Sequence, residues 1–304
     1  MTRARLILLL VATTILAACG RGKKTMLPDS GGRPCEVVLT GDGDSILYKA
    51  LAAITEPLPQ PEPTLDISMA EGIGASLRLA RNIIVVDINP KKYRQTEIRY
   101  ERNVYAEPQM MVHIETPSKE KLRQDIAARS VAKAIASLLR RNEIGMVAER
   151  LQYKHNPKME DVVKQMFGIN MRLPADMTAS RKGKDFIWIS NDSPMAMTNI
   201  CIYTSTNRDS VMAVNIKGET DAMHMATINS SVTLHTEQSS GHKIEVRRGL
   251  WEMTNDAMGG PFVSHTLKRC GNKPIIVVEA FVFAPGLKKR NLMLQTEAAL
   301  YTIR

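Results

Sequence analysis

The stretch Asn82-Ile83-Ile84-Val85-Val86-Asp87-Ile88 decides the fold of the first half of the chain. Five of its seven residues are β-branched and apolar. An almost unbroken run of this kind is typical of a strand that is covered on both faces. We expect residues 109–115 to form another strand.

Helix signals surround these two strands. Gly41-Asp42-Gly43-Asp44 separates a short strand at residues 36–40 from a predicted helix, for which Asp44 or Ser45 would be the N-cap. Thr116-Pro117 predicts the start of a longer helix that continues past Asn142 to residue 151. We expect Asn156-Pro157 to open a further helix that ends at Gly168.

The second half of the chain has a different pattern. Short alternating runs at 169–173, 186–190 and 198–204, and three more at 245–253, 261–267 and 275–283, predict an antiparallel meander. We expect helices from residue 208 and over 291–303. The sequence therefore predicts an α+β fold in two halves (35–155, α/β, and 156–304, α+β), each a mixed or antiparallel sheet with helices packed on one face.

Two basic or proline-rich segments allow more than one interpretation. Alternate prolines in Leu58-Pro59-Gln60-Pro61-Glu62-Pro63 exclude a helix and favour rigid structure over a recognition segment. Lys288-Lys289-Arg290 places positive charge at a predicted helix N-terminus, where it opposes the macrodipole. We expect a solvated basic turn there, with a surface role as the alternative.

The first nineteen residues predict where the protein resides. Arg3 and Arg5 precede an apolar run at 6–15 that is too short to cross a bilayer and is typical of a signal peptide. Leu16-Ala17-Ala18-Cys19 resembles a bacterial lipobox. That resemblance implies cleavage of residues 1–18 and acylation of Cys19 with fatty chains such as palmitate, because stable anchoring needs two or more chains.

The residues after Cys19 bear on sorting. Gly20 follows the cysteine where an aspartate would retain the protein in the inner membrane, so we expect an outer-membrane lipoprotein that faces the periplasm. Residues 19–34 are rich in glycine and basic residues and predict a flexible tether. No later apolar run reaches the length of a membrane span.

Composition restricts the partners. The 304-residue chain has a net charge of +10, which suits an acidic envelope glycan or anionic lipid. Its basic residues are not interleaved with aromatic ones, so we expect no nucleic acid. After Cys19, only Cys35, Cys201 and Cys270 remain, and a Cys201–Cys270 disulfide is one pairing that this odd number allows.

Several motifs along the chain together resemble a known but uncharacterised family. They are Leu58 to Pro63, Arg81-Asn82-Ile83-Ile84-Val85, Ala106-Glu107-Pro108-Gln109, Arg208-Asp209-Ser210-Val211, Arg248 to Met253, Met258 to His265, and Glu297 to Thr302. This set resembles a Bacteroidetes-type lipoprotein family classed as a domain of unknown function. The resemblance implies a lipoprotein address and one inherited architecture, but no catalytic residue. It places an aromatic residue where this chain has Cys35, which implies no functional role for that thiol.

One turn-rich stretch concentrates residues that could bind a ligand. The candidates within it are Arg248, Trp251, Asn255, Asp256, Gly259, Gly260 and His265. Tryptophan beside arginine and carboxamide groups suits stacking on a sugar or a peptide, and paired glycines allow close backbone approach. The alternative is structural, with tight hairpin connections and a buried Trp251. A catalytic version would use His265 as base and Asp256 as its orienting group.

The sequence supports two functional hypotheses. The first is a non-enzymatic, lipid-anchored envelope protein that binds an envelope protein or an acidic glycan. The second is a periplasmic hydrolase that acts on envelope material through the Trp251–His265 region. No metal-ligand spacing or cofactor fingerprint stands out, so we expect neither a metal nor a cofactor.

Overall fold

A computed structural model describes residues 26–56, 58–127, 129–239, 242–268 and 274–304. The predicted signal peptide, Cys19, the first part of the predicted tether and Cys270 lie outside the described residues. The described chain forms an α+β fold in two halves, each built on its own sheet, as the sequence predicts.

The first half is organised around a five-stranded sheet in the order β4-β1-β5-β7-β6. Its strands are β1 (Glu36–Thr40), β4 (Asp66–Ala70), β5 (Asn82–Ile88), β6 (Glu97–Arg102) and β7 (Met110–Thr116). Four of them run parallel, and β6 pairs antiparallel with β7 at one edge. The strand predicted at residues 82–88 is confirmed, and it lies in the middle of the sheet. Two-residue strands β2 (Thr55–Glu56) and β3 (Glu62–Pro63) pair with each other in the proline-rich segment.

Three helices cover one face of this sheet. They are α1 (Ile46–Ala52), α2 (Lys119–Ala127) and α3 (Arg129–Arg150). Leu47 and Leu51 of α1, Leu122 of α2 and Leu139 of α3 join the sheet residues Leu39, Ile84, Val112 and Ile114 in one core. Ser45 is the N-cap residue of α1 as predicted, but the Asp42 carboxylate and not Ser45 accepts from the N–H groups of Ile46 and Tyr48. Helix α2 begins later than predicted, at Lys119, where the Ser118 hydroxyl accepts from the N–H group of Lys121.

The second half contains a seven-stranded antiparallel sheet in the order β11-β12-β13-β14-β10-β9-β8. Its strands are β8 (Ala179–Lys182), β9 (Phe186–Ser190), β10 (Met197–Tyr203), β11 (Met225–Ser239), β12 (His242–Met253), β13 (Gly259–Leu267) and β14 (Ile276–Phe283). Residues 169–173 do not form the predicted strand, although Ile169, Met171 and Leu173 are buried. Strand β11 was not predicted, because serines and threonines interrupt its alternation.

Helices lie on both faces of this second sheet. On one face, α4 (Pro157–Phe167) and α6 (Arg290–Glu297) pack against alternate strand residues such as Ile187, Ile202 and Val278. On the other, α5 (Arg208–Asn215) packs against residues of opposite parity, among them Tyr203 and Phe281. The predicted arrangement with helices on one face is therefore incomplete for this half, because the alternating strands are apolar on both sides.

Helix α6 and the 3₁₀ turn that follows it (Ala298–Thr302) join the two halves. Leu294 and Ala298 belong to the core of the first half, whereas Met293, Ala299 and Leu300 belong to the core of the second. A helix with apolar residues on two sides is buried on both sides, so α6 contributes to both hydrophobic cores.

The proline-rich segment caps this helix. The Glu62 carboxylate accepts hydrogen bonds from the backbone N–H groups of Lys289 and Arg290 at the start of α6. The Arg290 guanidinium donates to the Pro63 carbonyl and pairs with Asp66. Negative charge from the first half therefore offsets the positive charge that the sequence places at this helix N-terminus.

The folded part of the chain includes residues before residue 35. Backbone hydrogen bonds link Gly31 to Leu79 and Arg81, and the Glu107 N–H donates to the Pro28 carbonyl. Residues 28–34, which the sequence assigns to the tether, therefore include backbone that is part of the folded body.

Candidate functional site

The structure separates the seven predicted site residues, which lie on two faces of one sheet and in the loop that connects two of its strands. Strands β12 and β13 are neighbours, with Arg248 opposite Val263 and Trp251 opposite Gly260. Because side chains alternate along a strand, Arg248 and His265 lie on the face covered by α6, and Trp251 lies on the face covered by α5. The predicted residues do not form one surface.

Arg248 belongs to a buried ionic cluster between the halves, the Glu297 cluster. The guanidinium of Arg248 makes a two-pronged contact with the Glu297 carboxylate, and Arg140 of α3 donates to the same carboxylate at 2.7 Å. Burial alone would raise the pKa of Glu297, but the charges of Arg140 and Arg248 outweigh it and hold that pKa well below its usual range. The carboxylate therefore stays ionised and is occupied by two arginines.

His265 is fully buried next to this cluster. Its ring meets the Tyr301 ring edge-on with centroids 4.7 Å apart, and no described group hydrogen-bonds either ring nitrogen. Burial lowers the pKa of His265 to about 4, so the ring is neutral near pH 7. Tyr301 donates to Glu237, which also contacts His235.

Trp251 is part of the core on the opposite face. Only 2% of its surface is exposed, and its ring packs edge-on against Phe281 with centroids 5.6 Å apart. Gly260 lies beside it within β13, where a Cβ atom would stand 2.0 Å from the Val282 carbonyl oxygen and 3.0 Å from the indole nitrogen. The glycine therefore serves close packing between strands and does not form a turn.

Asn255 and Asp256 lie in the loop that connects β12 and β13. Asn255 has a φ of 58°, a left-handed conformation that asparagine tolerates in turns. The exposed Asp256 carboxylate accepts from the backbone N–H of Ala257. It is not hydrogen-bonded to His265, so the structure does not form the acid–base pair of the hydrolase hypothesis.

A second buried cluster, the Glu279 cluster, was not predicted. Arg208 at the start of α5 donates from Nε and one terminal nitrogen to Glu279 in β14 at 2.7–3.0 Å, and the Tyr203 hydroxyl donates to the same carboxylate. The guanidinium also lies 4.0 Å above the Phe262 ring. The sequence carries one signal for it, because Glu279 is the lone charge within an apolar strand and therefore requires a buried partner.

An open concave surface lies elsewhere, at the β4 edge of the first sheet. This β4 cleft has a volume of about 630 Å³ and is bordered by β1, β4, the N-terminal segment 31–33 and the connection from β4 to β5. Its polar lining includes Arg33, Glu36, Tyr48, Ser68 and Ser76. The Arg33 side chain is 80% exposed and pairs with Glu36 on the cleft wall.

The described residues carry neither a metal-binding group nor a membrane helix. No three histidine, cysteine, aspartate or glutamate side chains within the described ranges are placed to hold a metal ion. Among the helices that the structure describes, none has the length and apolar character needed to cross a bilayer. Cys201 has a buried free thiol, and its predicted partner Cys270 lies outside the described residues.

These features define an α+β protein in two halves, with buried arginine–glutamate pairs inside the chain and an open cleft at a sheet edge. Residues 36–152 match the family model of a domain of unknown function (DUF8532). Residues 156–302 match that of a second domain of unknown function (DUF4837). The first match ends and the second begins in the segment between α3 and α4. No curated protein matches the chain.

Proposed function

We propose that this chain is a non-enzymatic, lipid-anchored protein of the cell envelope that binds an envelope protein or an acidic glycan. Cys19 would carry the acyl chains at the periplasmic face of the outer membrane. One observation carries the binding part of the proposal. The charged groups in the cores are occupied by internal partners, whereas the β4 cleft presents polar side chains to solvent.

The anchor is supported by the lipobox and by the short distance from Cys19 to the folded body. Only eight residues lie between Cys19 and Pro28, whose carbonyl accepts a hydrogen bond from the Glu107 N–H. An extended chain spans at most about 3.5 Å per residue, so the body would remain within roughly 30 Å of the anchored residue. The cleft, which residues 31–33 border, would then be close enough to bind partners at the membrane surface.

Cys19→Ser tests the anchor. The variant is expected to leave the membrane fraction in high salt and to lack the acyl mass on its N-terminal peptide. Cys35→Ser is a matched control, which should remain acylated and membrane-bound. Membrane retention by the Cys19 variant, or a wild-type peptide without fatty chains, would refute the anchor.

Ser68→Trp tests the binding surface, because a large side chain at this exposed position would fill the β4 cleft. Purified peptidoglycan sacculi serve as the glycan probe, and cross-linked partners from intact cells serve as the protein probe. We expect retention of either probe to fall at least tenfold, with Asp256→Ala as the control that keeps wild-type retention. Equal retention by wild type and Ser68→Trp would exclude the cleft as the binding site.

The hydrolase hypothesis receives no support from a specific contact. It requires Asp256 and His265 to act together in an open site, whereas His265 has no exposed surface and Asp256 contacts its own loop. We therefore do not develop it as a second function.

A further inference from the structure

Strand β6 is an edge strand with an open backbone. The Met110 N–H donates to Arg81 next to β5, so alternate residues of β7 direct their backbone groups toward β5 and the others toward β6. Arg99 lies opposite His113, and Glu101 opposite Met111, both of which are directed toward β6. The N–H and C=O groups of Ile98, Tyr100 and Arg102 therefore point away from the sheet.

All six side chains of this strand are exposed. Ile98 and Tyr100 are 42% and 53% exposed, and their β7 neighbours Ile114 and Val112 belong to the core. They therefore continue the apolar face of the sheet beyond the part that its helices cover. Within the chain as described, no strand pairs with the outer side of β6.

The other face of β6 carries alternating charges, Glu97, Arg99 and Glu101. Arg99 contacts both Glu101 and Glu115 within the chain. Charges on an edge strand ordinarily discourage pairing with another chain. The charges of β6 do not discourage pairing with a second copy of the same strand. If the two copies are related by a two-fold axis at Tyr100, Arg99 of each copy lies opposite Glu101 of the other.

We propose that β6 is a self-association surface, at which two copies of this chain pair antiparallel and join their five-stranded sheets. In this register, each Arg99 lies opposite Glu101 of the partner subunit, and Tyr100 meets Tyr100 of the partner subunit on the axis. The outward backbone groups of Ile98, Tyr100 and Arg102 form the new ladder. The β6 strand of the partner subunit then covers part of the exposed Ile98 and Tyr100 side chains.

Charge selects this register over its neighbours. Side-chain alternation allows shifts of two residues only, because a shift of one turns each side chain to the wrong face. A shift in one direction places Glu97 opposite Glu101 and Arg99 opposite Arg99. A shift in the other direction places Glu101 opposite Glu101. Like charges directly opposite each other destabilise a strand pair, so pairing centred on Tyr100 is complementary and both of these shifts are not. Pairing centred on Ile98 would also set Glu97 opposite Arg99, but it overlaps only residues 97–99 of β6, whereas pairing centred on Tyr100 overlaps residues 98–102.

Charge reversal tests the proposal on the full chain in detergent by sedimentation velocity. Wild type is expected to show a concentration-dependent dimer. Arg99→Glu leaves four carboxylates and no arginine at the paired positions, and Glu101→Arg leaves four arginines, so each variant alone should dimerise at least tenfold more weakly. An equimolar mixture of the two variants places every carboxylate opposite an arginine and should recover the dimer.

Two further measurements make the outcome decisive. Glu97→Arg, on the same face but opposite Asn103 of the partner subunit, should change the dimer dissociation constant less than twofold. Mixed Arg99→Cys and Glu101→Cys chains should form a disulfide-linked dimer that neither variant forms alone, since such non-hydrogen-bonded pairs have Cα atoms about 4.5 Å apart. A wild-type monomer at all concentrations would overturn the proposal, as would a mixture that stays monomeric. Both results are independent of acylation and of the β4 cleft.

Discussion

The Glu279 and Glu297 clusters, two of the buried arginine–glutamate clusters, lie on opposite faces of the second sheet and hold different parts of the molecule together. The Glu279 cluster connects α5 to its own sheet, and both Arg208 and Glu279 are almost completely buried. The Glu297 cluster connects α3 of the first half to α6 and β12 of the second, and its two arginines retain 15–17% of their side-chain exposure. One cluster stabilises a half, and the other couples the halves.

This difference explains why the sequence around Arg248 indicates a ligand site, although Arg248 does not belong to one. An arginine close to tryptophan and glycines suits ligand binding, but here it completes an interface within the chain. Buried pairs contribute little net stability when intact, whereas the loss of one partner leaves an unpaired charge. The comparison therefore predicts that single substitutions in the two clusters have unequal costs.

Glu279→Leu should have the largest effect. It leaves the buried Arg208 with only the half-exposed Asp209 carboxylate, 3.5 Å away, and we expect the free energy of unfolding to fall by about 4 kcal/mol. Urea denaturation followed by tryptophan fluorescence measures this loss. The double variant Arg208→Met, Glu279→Leu should recover most of it, and a double variant as unstable as the single one would contradict this account of the cluster.

Glu297→Gln should cost less, about 3 kcal/mol, because water can partly solvate the two arginines that it leaves behind. Its distinctive consequence is a loss of coupling. We expect two separate urea transitions, one for each half, where wild type unfolds in one. Far-ultraviolet circular dichroism and Trp251 fluorescence would then give different midpoints, and coincident midpoints would show that the halves remain coupled without this carboxylate.

The sequence predicts strands and helices well where one local pattern determines them. Asn82–Ile88 is a strand because its β-branched run suits no other buried element, and Asn156, Pro157 and Gly168 delimit α4 as their conformational preferences require. The sequence did not predict strand β11, because its polar residues interrupt the alternation of apolar and polar side chains. The pairing of Glu62 with the start of α6 depends on residues more than 200 positions apart, which no local pattern reports.

The candidate site was harder to predict for a related reason. Residue types in 248–265 are compatible with a ligand site, but alternation along β12 and β13 sends Arg248 and Trp251 to opposite faces. That separation follows from strand parity and could be read from the sequence once both strands are assigned. The partners of Arg248 and the burial of His265 could not be predicted from the sequence, because α3 and α6 contact these residues only in the tertiary fold.

A pH titration distinguishes the two clusters, because His265 lies next to the Glu297 cluster and not next to the Glu279 cluster. Its pKa is lowered from 6.5 to about 4 in the folded state, so the folded protein binds fewer protons than the unfolded chain over that interval. Stability is therefore unaffected by this group above pH 6.5 and is lost as the pH falls toward 4. At pH 5 the loss should be about 2 kcal/mol.

The measurement is the difference in unfolding free energy between wild type and His265→Leu across this range. Other carboxylates titrate equally in both proteins, so the difference isolates the histidine. We expect the variant to gain relative stability as the pH falls from 6.5 to 4. A difference that does not change with pH would mean that His265 acquires a polar partner when it is protonated.

Asp256→Ala should have the smallest effect and separates structural residues from the predicted catalytic pair. The carboxylate is exposed and accepts only from Ala257 within its own loop, so its removal should change the free energy of unfolding by less than about 0.5 kcal/mol. The same substitution should leave sacculus binding and dimer formation unchanged, because the loop lies in the second half and both proposed surfaces lie in the first. If Asp256→Ala instead abolished a hydrolytic activity of the wild type, the loop would be the active part of the molecule, and His265, buried in the core, could not be its base.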